Sequence, residues 1–317
     1  MDVQTDGRGR TTSTTDLVLR AENLTKHYGR VVGLEGLDLE VRAGEVLGYL
    51  GPNGAGKTTT IRLLLGLIRP TAGSARIFGM DVQDEKLAVH ARVSYVPGEA
   101  TLWPSLTGAQ TLHLLAKMHG ETDVGYRDEL VRRFDFDPSR KVRTYSKGNR
   151  QKINLIAALA TRADLLIMDE PTAGLDPLME QAFRQSVLEA RDNGQTVFLS
   201  SHVLSEVEAL CDRVAILRAG RLVEIGTLAQ MRHLSALTVQ ASFAGPPPAV
   251  DQVPGVSAIT VAGHQLSCQV RGSVDELLTV LAAAHPSMLL SREPSLEELF
   301  LSIYGQQEHL NNGIHRE

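Results

Sequence analysis

Gly51-Pro52-Asn53-Gly54-Ala55-Gly56-Lys57-Thr58 follows the apolar run Val46-Leu47-Gly48-Tyr49-Leu50 and precedes a helix-compatible stretch from Thr59 to Leu67. A G-x-x-x-x-G-K-[ST] pattern between a strand and a helix is the sequence form of a P-loop. Gly51, Gly54 and Gly56 permit backbone angles that turn successive N–H groups inward, where a polyphosphate can accept from them. The helix starting at Lys57 adds its positive N-terminal end. On this reading Lys57 reaches the β- and γ-phosphates, and the Thr58 hydroxyl is a Mg²⁺ ligand.

A second stretch complements the first. Leu165-Leu166-Ile167-Met168-Asp169-Glu170 is an apolar run ending in two carboxylates. Burying the run puts a strand in the centre of a sheet and its two acidic residues at the carboxyl end, beside the P-loop. Asp169 would hold Mg²⁺, directly or through water, and Glu170 would orient and deprotonate an attacking water.

The chain has 317 residues, room for one large nucleotide-binding domain and one smaller one. Its net charge of -5 argues against a nucleic-acid partner, which needs clustered Lys and Arg. Cys211 and Cys268 lie far apart and suggest buried thiols, with no disulfide framework. The longest apolar candidate for a membrane span, Ile153 to Met168, is interrupted by Arg162 and Asp164. Residues 1–15 read as a disordered polar tail without the apolar core of a secretory signal. The expected location is therefore the cytoplasm, or the cytoplasmic face of the membrane as a peripheral subunit.

Strands are expected at Asp16 to Thr25, Val31-Val32 with Leu37 to Val41, Ser74 to Phe78 and Val93 to Val96. A mostly helical insert follows over about 99–149, with Thr107 as N-cap of a helix from Gly108 to His119 and a second helix from Gly125 to Phe134. Helix and strand then alternate: Arg150 to Thr161, Leu165 to Met168, Leu178 to Asp192, Thr196 to Ser200, Leu204 to Cys211 and Val214 to Leu217. Such alternation indicates an α/β fold with a mostly parallel sheet. Composition shifts near residue 232. Residues 233–305 are expected to form a small α+β appendage, with a strand from Leu237 to Phe243 and a helix from Val274 to Ala284, and 306–317 a flexible tail.

Three further stretches carry a family resemblance. Tyr145-Ser146-Lys147-Gly148-Asn149 precedes the Leu165 strand through one helix, Thr172-Ala173-Gly174-Leu175-Asp176 follows it, and Ser200-Ser201-His202 closes the next strand. With Tyr28 upstream, this order resembles the ATP-binding subunits of ABC transporters over roughly residues 16–232. The resemblance implies a P-loop ATPase core with an antiparallel β subdomain and the helical insert, ATP and Mg²⁺ as cofactors, and hydrolysis coupled to transport. It implies that two copies close on two ATP molecules and act on a separate transmembrane permease. Gly51, Asn53, Gly54, Ala55, Gly56, Lys57, Thr58 and Thr59 would hold the phosphates, and Tyr28 would stack on adenine. Ser146 and the Gly148 N–H would contact the γ-phosphate held by the other copy, with Asp176 at the interface between copies. His202 would hydrogen-bond the γ-phosphate or help orient water and Glu170.

Two places depart from the family pattern. Gly98-Glu99 stands where a Gln is usual, which makes Glu99 a further candidate for Mg²⁺ or its water. Tyr145, Lys147 and Asn149 replace three of the five usual signature residues, while Ser146 and Gly148 remain. With the segment Pro294 to Leu301, these variants look like the drug-efflux branch that includes daunorubicin and doxorubicin exporters. Lipid or polysaccharide export is the alternative, followed by a soluble ABC ATPase acting on ribosomes or DNA. The only tryptophan, Trp103, falls where the resemblance implies that a membrane subunit docks; packing within the insert would also account for it.

Overall fold

The structure is a computed structural model that describes residues 17–99, 101–120, 122–233, 237–292 and 298. The expected tails at 1–15 and 306–317, and all of the Pro294 to Leu301 segment except Glu298, lie outside these residues. The chain divides into two units, Met1–Ile225 and Gly226–Glu317.

The first unit opens with an antiparallel hairpin, β1 (Leu17–Tyr28) and β2 (Val31–Arg42), turned at Gly29-Arg30. β1 continues past the expected end at Thr25 through Lys26, His27 and Tyr28, which pair with Leu34, Val32 and Val31 of β2 while the His27 N–H donates to Thr71 Oγ1 at 3.0 Å. β3 (Val46–Leu50) leads to α1 (Lys57–Leu64), which stops before the expected Leu67 where Gly66 takes a φ of 62°. β4 (Ala72–Ile77), β5 (Met80–Asp81), α2 (Lys86–His90) and β6 (Val93–Val96) follow. The short β5 and α2 were not expected from the sequence.

The helical part contains α3 (Gly108–His119), α4 (Val124–Arg133) and α5 (Lys147–Ala160). Thr107 caps α3 as expected: its hydroxyl accepts from Gln110 N at 3.2 Å, and Gln110 Oε1 accepts from Thr107 N at 2.9 Å. α5 begins at Lys147, three residues before the expected Arg150, because the Ser146 side chain caps it by accepting from Asn149 N. The remainder alternates as β7 (Leu165–Asp169), α6 (Pro177–Asp192), β8 (Thr196–Ser201), α7 (Leu204–Leu210), β9 (Arg213–Arg218) and β10 (Arg221–Thr227).

Two sheets enclose α1. The antiparallel sheet runs β2-β1-β4-β5, and the six-stranded sheet runs β10-β9-β3-β8-β7-β6. In the latter, β9, β3, β8, β7 and β6 are mutually parallel. Its central strands β3, β7 and β8 are buried along their whole length, as near-continuous apolar runs require when both faces are covered. Ile61, Leu63 and Leu64 of α1 share one core with Leu19, Leu34 and Leu39 of the first sheet and Tyr49, Ile167 and Phe198 of the second. α1 is thereby fixed from both sides, and with it the loop that precedes it.

The second unit contains α8 (Leu228–His233), β11 (Leu237–Ser242), β12 (Val256–Ala262), β13 (Gln265–Val270), α9 (Asp275–Ala283) and β14 (Met288–Arg292). Its sheet runs β12-β13-β11-β14 with antiparallel neighbours. Leu277 and Leu281, one turn apart on α9, bury against Val239, Ala241, Leu266 and Val270. Cys268 belongs to this core and Cys211 is buried in the first unit; both thiols are free. Among the described residues, no helix is long and apolar enough to cross a membrane.

Candidate active site

Strand register brings the two sequence motifs to one edge. Across the parallel sheet Leu50 pairs with Ser201, and Asp169 pairs with Ser200, so the ends of β3, β8 and β7 lie level. One strand, β8, separates the P-loop strand from the acidic one, and its terminal residues take part in the site.

The loop from Gly51 to Gly56 is shaped by close backbone approaches. Gly56 has a φ of 109°, and a Cβ there would sit 2.5 Å from the Gly33 carbonyl oxygen. Gly51 does not share that conformation, contrary to the sequence reading: its φ is not positive, and it is glycine for room, since a Cβ would lie 2.6 Å from Leu217 O. α1 then starts with no side-chain cap. A helix start without a capping side chain leaves N–H donors for an anion. This donor-rich loop, with a lysine inside it, fits a polyphosphate.

Lys57 is only 5% exposed, and its ammonium donates to Gly51 O at 2.6 Å and Pro52 O at 3.3 Å. It also lies 3.2 Å from Glu170 Oε1. The other oxygen of Glu170 is 3.2 Å from His202 Nδ1. Glu170 is thus bracketed by Lys57 and His202, with a side chain 25% exposed against 51% for the histidine. Its backbone sits at φ 47°, a left-handed conformation unusual for a non-glycine residue. Two hydrogen bonds hold it there, from Glu170 N to Ser200 O at 3.0 Å and to Ser200 Oγ at 3.2 Å.

Thr58 and Asp169 meet directly, the hydroxyl donating to Asp169 Oδ2 at 2.9 Å. Asp169 Oδ1 accepts from Ser200 Oγ at 2.6 Å. One carboxylate and one hydroxyl side by side, next to a phosphate cradle, suit Mg²⁺, which binds through one or two carboxylates plus substrate phosphates and water. Glu99 is exposed, one residue past Gly98, whose Cβ position is 3.0 Å from Asp169 O. Among the described residues no hydrogen bond or ion pair joins Glu99 to Thr58 or Asp169. The deeply buried Gln151 holds the turn before it, donating from Nε2 to Pro97 O at 3.2 Å.

The other candidate residues surround this cluster at different distances in the fold. Tyr28, partly exposed, lays its ring edge against Gly33, 2.8 Å from that residue's Cβ position, and the Gly33 carbonyl in turn backs Gly56. Asn53, Gly54, Ala55 and Thr59 lie along the same loop and helix start. Ser146, Gly148 and Asp176 form a separate group. Ser146 caps α5, and Gly148 has no space for a side chain, because Gly174 O lies 2.3 Å from its Cβ position. Asp176 caps α6 by accepting from Leu178 N and Met179 N, each at 3.1 Å. Among the described residues no hydrogen bond or ion pair links this group to Lys57, Thr58, Asp169 or Glu170.

Trp103 lies elsewhere again, partly exposed and lining a cleft of about 640 Å³ with Leu65, Tyr95, Leu115, Asn154 and Ala157. Tyr95, which lines the same cleft, has its hydroxyl pushed up to about 12 by burial and then by the Asp169 charge. The sequence reading missed Ser200 and Gln151 as site residues. Ser200 was present in the quoted Ser200-Ser201-His202 stretch, but its role depends on pairing with β7.

A family model described as ABC transporter matches residues 34–173. The linearmycin resistance ATP-binding protein LnrL of Bacillus subtilis is 33% identical, over 91% of this chain and 99% of its own length. The daunorubicin resistance ATP-binding protein DrrA3 of Streptomyces coeruleorubidus is 35% identical, over 93% of this chain and 98% of its own. A solved structure described as the ATP binding subunit of an ABC transporter superposes with a TM-score of 0.64 at 33% identity, covering 68% of this chain and 92% of that one.

Proposed function

Because the chain belongs to the ATP-binding subunits of ABC transporters, we propose that it powers an exporter of drug-like or antibiotic molecules by closing as a pair around two ATP. The observation that carries the mechanism is the continuous chain Lys57–Glu170–His202 beside the Thr58–Asp169 contact. The loop from Gly51 to Thr59 would take the phosphates of ATP, with Lys57 leaving the Gly51 and Pro52 carbonyls and Glu170 to reach them. That exchange frees the Glu170 carboxylate to accept a proton from the attacking water. His202, at hydrogen-bonding distance from Glu170, would hold the carboxylate in line and contact the terminal phosphate. Mg²⁺, held by Thr58 and Asp169, would neutralise charge developing on the phosphate oxygens.

The group around Ser146 and Gly148 supports the paired arrangement, since it forms a donor-bearing helix start that, among the described residues, has no hydrogen bond or ion pair to Lys57 or Thr58. In a second copy it would complete the site, in the way an arginine finger completes one in trans. The cleft lined by Trp103 offers an aromatic anchor for a cytoplasmic segment of a separate membrane subunit. Export of a drug or antibiotic is supported by the resistance functions named for LnrL and DrrA3.

Glu170→Gln tests this reading. The variant is expected to bind MgATP, to lose turnover by about a hundredfold or more, and to elute as a dimer with MgATP in size-exclusion chromatography. A Glu170→Gln protein that hydrolyses ATP at the wild-type rate, or stays monomeric with MgATP, overturns it.

A further inference from the structure

His202 is half-exposed and follows the end of a strand, with its Nδ1 3.2 Å from Glu170 Oε2. The question is what keeps its ring at that carboxylate. The answer lies one turn into the next helix. Glu206, on α7, is only 7% exposed, and its Oε2 accepts from Ser201 Oγ at 2.6 Å. Ser201 Oγ in turn accepts from Val203 N at 3.0 Å. These bonds clamp the residues on both sides of His202. Thr172, in the loop directly after Glu170, lines one small pocket with Glu206 and Val203. One buried carboxyl therefore holds the segment carrying His202, beside the loop that follows Glu170.

We propose that Glu206 is a positioning residue for ATP hydrolysis, a brace on Ser201 that holds His202 against Glu170. The inference rests on the roles assigned above to Glu170 and His202. A brace is needed because both ends of the contact are strained or loose. Glu170 occupies a left-handed backbone conformation, and His202 has half of its side chain in solvent. The pair would otherwise sample open arrangements, and each open arrangement removes the carboxylate from the line of attack.

Acceptor capacity, not charge, is what the brace requires. Burial raises the Glu206 carboxyl above the ordinary carboxylate range, with the hydrogen bond from Ser201 Oγ acting in the opposite direction. Its Oε1 is buried with no hydrogen-bond partner. A glutamine keeps an acceptor for Ser201 without placing a charge in that site.

The test measures steady-state hydrolysis and MgATP binding by the full chain for Glu206→Ala, Glu206→Gln, Ser201→Ala and the Ser201→Ala/Glu206→Ala double variant. Glu206→Ala is expected to lower kcat about tenfold with KM for MgATP within about twofold, and Glu206→Gln to restore kcat to within about threefold of wild type. Ser201→Ala should reproduce the loss from the other side of the bond, and the double variant should be no slower than either single one. Ser201→Ala also decides the matter if Glu206→Ala does not fold. Wild-type kcat in Ser201→Ala and Glu206→Ala, an equal loss in Glu206→Gln and Glu206→Ala, or additive losses in the double variant each overturn the brace. Glu170→Gln and His202→Ala are run alongside: if these hydrolyse ATP normally, the roles of the site itself are wrong, a different outcome from failure of the brace.

Discussion

Two helices of the first unit start in opposite ways. α1 follows Gly56 with no capping side chain, whereas α5 follows Ser146, whose hydroxyl already accepts from Asn149 N at 3.2 Å. The first start leaves its donors open, and the loop before it folds a lysine ammonium over its own carbonyls. The second has satisfied part of its own demand. Its hydroxyl proton and the Gly148 N–H remain as donors, because a hydroxyl that accepts one hydrogen bond can still donate another. On the proposed function this difference is a division of labour: α1 would grip an anion within the chain, and α5 would make a weaker contact when a second molecule brings the anion to it.

The comparison breaks first at Lys57. Lys57→Ala is expected to weaken MgATP binding about a hundredfold or more, since a charged donor to two phosphates is removed from a nearly buried position. Isothermal titration of the single chain measures it. Binding within a few-fold of wild type would show that the loop amides alone hold the nucleotide, and the contrast with α5 would vanish.

Ser146 separates capping from phosphate contact. Aspartate caps a helix about as well as serine, so Ser146→Asp should keep the wild-type Tm and the MgATP affinity of the single chain. Its carboxylate would nevertheless face a phosphate brought by the second copy, and turnover should fall about tenfold. Ser146→Ala should do the reverse in part, losing about 1 kcal/mol of stability with the cap while turnover drops about threefold. If Ser146→Asp hydrolyses ATP like wild type, Ser146 is a cap and nothing more.

The same residues explain what was legible in the sequence. Gly51 to Thr58, Asp169, Glu170 and His202 could be found because each lies at a strand or helix end whose type is set by a local run of residues. The first turn of α5 was misplaced because Lys147-Gly148 does not look helical, although a serine three residues before Asn149 was the available cap signal. The short elements β5 and α2 carry too few residues for a period to register. Other features depend on partners distant in the chain. Gly51 is glycine because of Leu217 O, Gly148 because of Gly174 O, and Ser200 matters because β8 pairs with β7. None of these has a local signature. Glu206 is the extreme case: four residues after His202 on a short helix, it looks like one more acidic surface residue until Ser201 is seen against it.

A third helix start sharpens the comparison at its small end. α4 is capped by Asp123, which accepts from Tyr126 N at 2.9 Å and from Arg162 Nε at 2.9 Å. These two donors, the backbone one first, hold the Asp123 carboxyl below the usual aspartate range. A carboxyl lowered in the folded state contributes stability above its unfolded value, and loses it as pH falls through the folded one. Asp123→Ala should therefore lower Tm slightly at neutral pH. The gap to wild type should narrow only below the ordinary aspartate value of about 3.9 and close once the carboxyl is protonated in both states. Turnover and MgATP affinity should not change, because this start faces Arg162 and not a ligand. Thermal melts of both proteins across that pH range measure the gap, and a gap that stays constant through the acid range would mean that Asp123 caps α4 as a neutral group. In that case its similarity to the Ser146 cap would extend to charge, and the contrast with the open start at Lys57 would rest on the presence of a cap alone.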